Sequence, residues 1–141
     1  MAAALLILGA SLLVREWTVR PVQWSALDRP FAPCGEGRGA SACVIDGDTL
    51  AIGQRRVRLT GYDAPEIAGA CEAERRLAVV ARDELARWAS LGPFELDGGA
   101  EPPRDTYGRE LRAARRGDEL LADTMVQRQL ARRSRLDRGW C

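Results

Sequence analysis

Between Cys43 and Leu59 the chain passes through three short β-type runs with almost no residues between them: Cys43 to Ile45, Thr49 to Ile52 and Arg55 to Leu59. Only Gly53 and Gln54 separate the second run from the third, which is the length and glycine-first order of a two-residue hairpin. Strand pairing is therefore set locally, and the side-chain period of two divides each run into faces. Val57 and Leu59 alternate with Arg58, so if the two apolar residues face a core, Arg58 faces the other way.

The rest of the chain adds helices and two further strands. From Cys71 to Trp88 the apolar positions Leu77, Ala81, Leu85 and Trp88 recur at steps of four, four and three, which predicts an amphipathic helix. Phe94 to Leu96 reads as a brief strand, Asp97-Gly98-Gly99 as a turn and Glu110 to Ala114 as a weak fifth strand. A second helix is predicted from Asp118 as N-cap through Leu121, Met125, Val126 and Leu130. With 141 residues there is room for one compact domain. This order suits an α+β domain, a five-stranded OB-fold-like barrel, closed or nearly closed, with helices packed on it.

The domain is placed at residues 43–141. Residues 19–42, with Pro21, Pro30 and Pro33 and no sustained periodicity, read as a linker or lead-in. Residues 1–18 hold an uncharged apolar run, 2–14, followed by Arg15 and Glu16. Thirteen helical residues span about 20 Å against the roughly 30 Å of a bilayer core. The segment reads as an export signal or membrane anchor, against the alternative of a buried soluble helix.

Composition narrows the chemistry. Histidine is absent, which removes Ser/His/Asp triads, Cys/His dyads and His-ligated zinc. All 21 basic residues are arginine, against 20 acids, so the net charge of +1 gives no global field for nucleic acid. The stretch from Arg128 to Arg138 is locally basic and reads as a solvated face. Cys34, Cys43, Cys71 and Cys141 are too widely spaced for a CxxC zinc site. Four cysteines allow three disulfide connectivities, which an oxidising compartment would favour.

The densest polar run is Val44-Ile45-Asp46-Gly47-Asp48-Thr49-Leu50, followed by Tyr62-Asp63-Ala64-Pro65-Glu66, both at strand ends. Four carboxylates in two turns repel one another unless a cation lies among them, and an oxygen-only cluster suits calcium or magnesium. The plainer alternative is two ordinary turns, since Asp, Gly and Pro are turn formers. Arg58, and Arg109 within Asp105-Thr106-Tyr107-Gly108-Arg109, tip the balance. Two planar guanidinium forks beside a divalent metal are a recurring way to stabilise charge on phosphorus.

The runs VIDGDTL, RVRLTGYDAPE and DTYGREL, with GDELLADTMVQRQLA behind them, resemble the staphylococcal nuclease (thermonuclease) family in order and spacing, over roughly Cys43 to Arg132. The resemblance implies an OB-fold barrel and a calcium-dependent phosphodiesterase that cuts DNA and RNA, leaving 3′-phosphate ends. Asp48 and Asp63 resemble the calcium-ligating carboxylates, with Ala64 offering a backbone carbonyl. Glu66 resembles the carboxylate that activates or positions water, Arg58 and Arg109 the pair that grips the scissile phosphate, and Tyr107 a nucleotide-pocket tyrosine. The Cys34 to Cys43 lead-in and the ending Gly139-Trp140-Cys141 look like exported bacterial members, with an expected location in the periplasm, outside the cell or anchored to the inner membrane. The expected disulfides are Cys34 with Cys43 and Cys71 with Cys141. The expected partners are DNA and/or RNA, with a membrane tether through residues 2–14 and a monomeric chain.

There are departures from the family pattern. LRAARRG replaces an apolar alternation, so Arg112, Arg115 and Arg116 are expected to leave the barrel wall thinly packed. Gln129 stands where glycine is frequent, and the family's longer C-terminal helix and additional aromatic pocket residues are missing, which bears on substrate affinity. Two other readings compete: a non-catalytic nucleic-acid- or protein-binding barrel, and a membrane-tethered structural domain with its acids in ordinary turns, which would bind no calcium.

Overall fold

The computed structural model of the chain describes residues 21–36 and 41–141, so the apolar N-terminal segment and its export or anchor reading lie outside the described residues. The architecture is α+β. Among the described residues nine short strands form two sheets: β1 (Ser25–Leu27), β2 (Ala32–Pro33), β3 (Ala42–Asp46), β4 (Thr49–Ile52), β5 (Arg55–Leu59), β6 (Phe94–Leu96), β7 (Glu110–Arg112), β8 (Ala114–Arg116) and β9 (Glu119–Leu120). Two helices, α1 (Glu72–Ser90) and α2 (Leu121–Gln127), accompany them.

The five-stranded sheet runs β2-β3-β4-β5-β7 and the four-stranded sheet β1-β6-β8-β9. The meander β3-β4-β5 is antiparallel, with Val44 opposite Leu50 and Leu50 opposite Val57. Gly53 turns the second hairpin with φ 58°, the left-handed geometry that a glycine-first turn requires. β5 pairs in parallel with β7. The ladders form two sheets rather than one closed cylinder among the described residues, because Glu110 to Ala114 is not one strand. The chain steps at Ala113, so β7 pairs with β5 while β8 pairs with β6.

The core lies between the sheets and α1. Val44, Leu50, Val57 and Leu59 meet Ala81, Leu85, Trp88, Phe94, Leu96, Leu121 and Met125 in one buried cluster. Each large side chain there contributes about 1.5–3 kcal/mol of burial. The helical periodicity marks the right face, with Ala81, Leu85 and Trp88 buried and Leu77 half-buried.

Three differences from the sequence reading have physical causes. The described part of the lead-in joins the fold: Ser25–Leu27 pairs with β6, Ala32–Pro33 pairs with β3, and Phe31 is buried. Phe31 is clamped to the end of α1, its N–H donating to Ser90 Oγ at 3.0 Å and its carbonyl accepting from the same hydroxyl at 2.8 Å. The second helix begins at Leu121, not after Asp118, because Glu119 and Leu120 fold back as a strand on Arg116 and Arg115. The wall at Arg112, Arg115 and Arg116 is well filled. Arg116 lies over the Trp88 ring and donates to the carbonyls of Trp88, Gly92 and Pro93, while Arg115 lies over Trp24 and pairs with Glu95. Aliphatic stems and stacked guanidinium planes do the packing that apolar residues would otherwise do. Gln129 keeps the glycine-like backbone of its position, with φ 60°, at the end of α2.

Two disulfides are present, Cys34–Cys43 and Cys71–Cys141, as the pairing expectation has it. The first joins the lead-in to β3. The second ties the chain end to the residue before α1. Among the described residues no helix is long and apolar enough to cross a membrane.

Candidate functional site

The turn between β3 and β4 is held against the molecule from two sides. A Cβ on Gly47 would come within 2.8 Å of the Cβ atoms of Ala64 and Ala81, so only glycine fits between α1 and the second polar turn. The buried Tyr62 hydroxyl donates to the Gly47 carbonyl at 2.9 Å. Asp46-Gly47-Asp48 and Tyr62-Asp63-Ala64 are thereby fixed against each other.

Asp48 is 3% exposed. Its Oδ2 accepts the Ala64 N–H at 3.0 Å and pairs with Arg58 Nη1, while its Oδ1 accepts from Thr49 Oγ1 at 3.1 Å. Its own N–H donates to Asp46 Oδ1 at 3.1 Å, which brings a second carboxylate alongside. Arg58 does face away from Val57 and Leu59, and its Nη2 reaches Asp63 Oδ1 at 3.2 Å. One guanidinium thus bridges Asp48 and Asp63, residues 15 positions apart in sequence.

Asp63 is more heavily coordinated than the sequence reading anticipates. Arg132 Nε and Nη2 both lie 2.9 Å from its Oδ2, and Arg135 Nε lies 3.4 Å from Oδ1. A backbone pair between Asp63 and Arg132, at 2.8 and 2.9 Å, fixes the tail segment beside the turn. The basic stretch is therefore not simply a solvated face. Arg132 sits under the Trp140 ring and belongs to the site, while Leu136 remains exposed.

Glu66 stands at the rim of this cluster. Its backbone N–H donates to Glu74 Oε1 at 3.3 Å, and the same carboxylate accepts the Ala70 N–H at 2.8 Å. Glu74, buried on the first turn of α1, so holds the loop that carries Glu66. Burial, then the nearby Asp46, raise the proton affinity of Glu66, with Asp63 adding to the rise and Arg58 and Arg109 opposing it. Burial pushes Asp48 up to about 7 from an ordinary 3.8, against the pull of Arg58 and with Asp46 adding to the rise. The displacement marks a deeply buried acid with a second carboxylate beside it.

Arg109 and Tyr107 lie on the loop before β7. Asp105 shapes it, with Oδ1 accepting the N–H groups of Tyr107 and Arg109 at 2.9 and 3.0 Å and Oδ2 accepting Arg109 Nε at 2.7 Å. Tyr107 is 84% exposed and lies 5.6 Å from the Arg109 guanidinium. The structure therefore unites Asp48, Arg58, Asp63 and Ala64, places Glu66 at their rim with Arg109 close enough to act on its charge, and leaves Tyr107 on the surface.

Sequence reasoning assigns no role to Asp46, Glu74, Arg132 or Trp140. Asp46 was legible as one of four neighbouring acids. Glu74 and Trp140 carried no local signal, because their partners lie across the disulfide or along the 66–70 loop. Asp46, Asp48, Asp63 and the Ala64 carbonyl are oxygen donors of the type a hard divalent cation takes, but among the described residues Arg58 bridges Asp48 and Asp63, and no three of these carboxylates lie close enough together to share one ion as placed. Cys71, Glu74 and Cys141 also cluster, but both sulfurs are held in a disulfide and offer no thiolate. No protein-family model and no curated protein matches the sequence.

Proposed function

We propose that this chain is an exported, calcium-dependent phosphodiesterase of the staphylococcal nuclease type that hydrolyses DNA and/or RNA and leaves 3′-phosphate ends. One observation carries the reading: Asp48 and Asp63, brought together from two polar turns, share the Arg58 guanidinium with Glu66 at their rim. The β3-β4-β5 meander, its parallel continuation into β7 and the passage past Ala113 into β8 and β6 support an opened five-stranded barrel of the OB type. Two disulfides in so small a domain fit an oxidising compartment.

Asp48, Asp63 and the Ala64 carbonyl would hold calcium, with Asp46 behind them. Calcium, when bound, supplies charge neutralisation and polarises a phosphoryl oxygen. Arg58 and Arg109 present planar forks to the non-bridging oxygens, whose charge grows as phosphorus becomes five-coordinate. Glu66 takes a proton from the attacking water or orients it, and its raised proton affinity brings it closer to the range where a carboxylate is an effective base. The electron pair of the breaking P–O bond leaves on the 5′ oxygen. The deciding assay incubates purified protein with single-stranded and duplex DNA and RNA, with calcium, zinc or chelator. Cleavage with calcium alone is expected; full cleavage in chelator removes the calcium assignment.

A second reading, a non-catalytic nucleic-acid-binding barrel, draws on the three guanidinium groups crowded on Asp63. It predicts binding without cleavage under every one of those conditions.

A further inference from the structure

Behind the hairpin that carries Tyr107 and Arg109 lies a cleft of about 800 Å³, bordered by Arg55, Arg104, Arg112, Glu110 and Trp24. Its volume falls within the range of ligand sites, roughly 300–1,000 Å³. Arg104 pairs with Glu110 across the base of the hairpin, so this wall is continuous with the loop that presents Arg109.

The charge balance here is opposite to that of the acid cluster. Glu110 accepts Arg55 Nε and Nη2, both at 2.8 Å, Arg112 Nε at 2.7 Å and Arg104 Nη2 at 3.4 Å. One carboxylate faces three guanidinium groups. Arg112 is fully used, its other nitrogens donating to the carbonyls of Asp97 and Gly99. Arg55 and Arg104 are not. Their side chains are 45% and 53% exposed, and among the described residues Arg55 Nη1 and Arg104 Nε have no acceptor. Two positive charges with free donors therefore border a concave surface, the arrangement that binds phosphate oxygens.

Trp24 supplies the other half of the site. It is half-buried, and its ring is held 3.9 Å from the Arg115 guanidinium, so it is a fixed aromatic wall. Guanidinium forks beside a fixed aromatic wall are the pairing that single-stranded nucleic acid exploits, phosphates on the forks and a base on the ring. A free anion would make no use of the ring. Asp97 and Glu101 line the adjoining cleft, which confines the positive ground to the Arg55 and Arg104 side.

We propose that this cleft is a second contact for a single nucleic-acid strand, taking a phosphate between Arg55 and Arg104 and stacking a base on Trp24, away from the phosphate that is cut. The proposal rests on the nuclease reading for the identity of the polymer, not for the existence of the site. Arg55 and Arg58 are three residues apart on β5 and, with a side-chain period of two, point to opposite faces of the strand, so a nucleic-acid strand that touches both clusters passes around the sheet by way of the 104–109 loop, which carries both Arg104 and Arg109.

The test is equilibrium binding of the full chain to a fluorescent single-stranded oligonucleotide of about 16 nucleotides, the upper site size of one OB domain, in chelator and across a salt series. Arg104→Gln leaves Arg55 and Arg112 to hold Glu110, and Trp24→Ala leaves Arg115 its pair with Glu95, so both variants keep the buried contacts. Each should weaken binding about fivefold or more, and Arg104→Gln should reduce the salt slope by about 0.7. Arg104→Lys should restore the slope, which separates lost charge from lost folding. Under calcium, Trp24→Ala should raise KM for the long strand while leaving a dinucleotide substrate unaffected; Arg104→Gln is read by binding alone, because Arg104 Nη1 also donates to the Gly108 carbonyl at 2.8 Å beside Arg109. Wild-type affinity and salt slope in both variants overturns the site. Weakening by Arg104→Gln alone overturns the base-stacking half of it. A wild type that cleaves nothing, with variants that still lose affinity, leaves the site standing and removes the nuclease reading; active variants with unchanged affinity do the reverse.

Discussion

Two arginine–carboxylate clusters flank the strand Arg55–Leu59, built from the same two residue chemistries and balanced in opposite senses. At Arg55, one buried carboxylate is surrounded by three guanidinium groups, and hydrogen bonding from Arg55, with Arg112 adding to it, holds Glu110 down at about 2, against burial. At Arg58, burial and a neighbouring acid drive Asp48 up to about 7 although Arg58 is its direct partner. The first cluster is complete without any added ion, and its surplus is positive. The second gathers Asp46, Asp48, Asp63 and Glu66 around Arg58, Arg132 and Arg135, one acid more than its arginines, an imbalance that the proposed calcium would relieve. The difference teaches that a buried ion pair is not a functional label: the sign of the uncompensated charge distinguishes a strut from a candidate reaction site.

The largest effect expected from breaking this comparison is on turnover. Glu66→Gln keeps the shape of the rim and removes the carboxylate proposed to handle water, and Arg109→Lys keeps a charge but loses the fork. Either should lower kcat by about two to four orders of magnitude, within the range for removing a catalytic acid–base group or an oxyanion donor. Nucleic-acid affinity should fall far less. Parallel measurement of cleavage and equilibrium binding with calcium decides it, and an Arg109→Lys protein that cleaves at the wild-type rate removes Arg109 from the reacting set. At the other cluster the loss should appear in folding. Glu110→Gln leaves Arg112 buried without its counter-charge and should cost about 3–5 kcal/mol in urea unfolding, with the remaining folded protein still able to cleave.

The two clusters were not equally legible in the sequence. Asp48, Arg58, Asp63 and Glu66 sit in short runs at strand ends, so their convergence follows once the meander is recognised; Gly47 and Ala81 then explain why the first turn can approach the helix so closely. The Glu110 cluster was hidden. Arg112 lies in a run that reads as a defect in an apolar strand, whereas its place two residues after Glu110 on β7 puts both side chains on one face, from which it also reaches the carbonyls of Asp97 and Gly99. The lead-in strands were hidden for a related reason. Runs of two or three residues have no measurable periodicity, and their pairing depends on partners far along the chain. Arg132 and Arg135 looked like a solvated charge run because what orders them is a backbone bridge to Asp63 and a disulfide beyond them.

That disulfide sets the next effect in size. Cys71–Cys141 closes a separation of 70 residues, and loop-closure entropy puts its contribution at about 4 kcal/mol, with typical measured values of 2–4. Cys141→Ser should therefore lower stability by about 2–4 kcal/mol. It should also act on one cluster only, loosening Arg132, Arg135 and Trp140 from the Asp63 side while the Glu110 side keeps its contacts. Hydrogen exchange checks this: protection should fall at the Asp63 and Arg132 amides, which pair across the bridge, and persist at Leu111, whose N–H donates to the Pro103 carbonyl at 2.8 Å. Uniform loss of protection would show that the tail supports the whole fold and not this site alone.

The smallest effect expected is also the most direct reading of the opposite balances, through pH. Between 3.8 and about 7 the folded chain holds a proton on Asp48 that the unfolded chain has released, so this group lowers stability as pH rises through that window, and its full penalty is present above 7. Glu110 has the contrary sign. Between about 2 and 4.5 the unfolded chain holds the proton and the folded chain does not, so its contribution is complete above 4.5 and is lost as pH falls through about 2. Asp48→Asn keeps an oxygen for the Ala64 N–H and leaves Arg58 its contact with Asp63, while removing the charge that burial penalises. In chelator it should match the wild type near pH 4, where Asp48 is protonated in the folded chain and only partly ionised in the unfolded one, and exceed it at pH 8 by about 1–2 kcal/mol, less than the full shift because Arg58 loses a partner. Urea midpoints at the two pH values measure this, and equal alkaline losses in both proteins would place the penalty on another group. Calcium should stabilise the wild type at pH 8 by mass action and the asparagine variant much less, since the variant has lost a ligating charge. The same substitution that stabilises the metal-free fold should thus weaken the proposed calcium site, because the acid that burial penalises is one of those proposed to hold the ion.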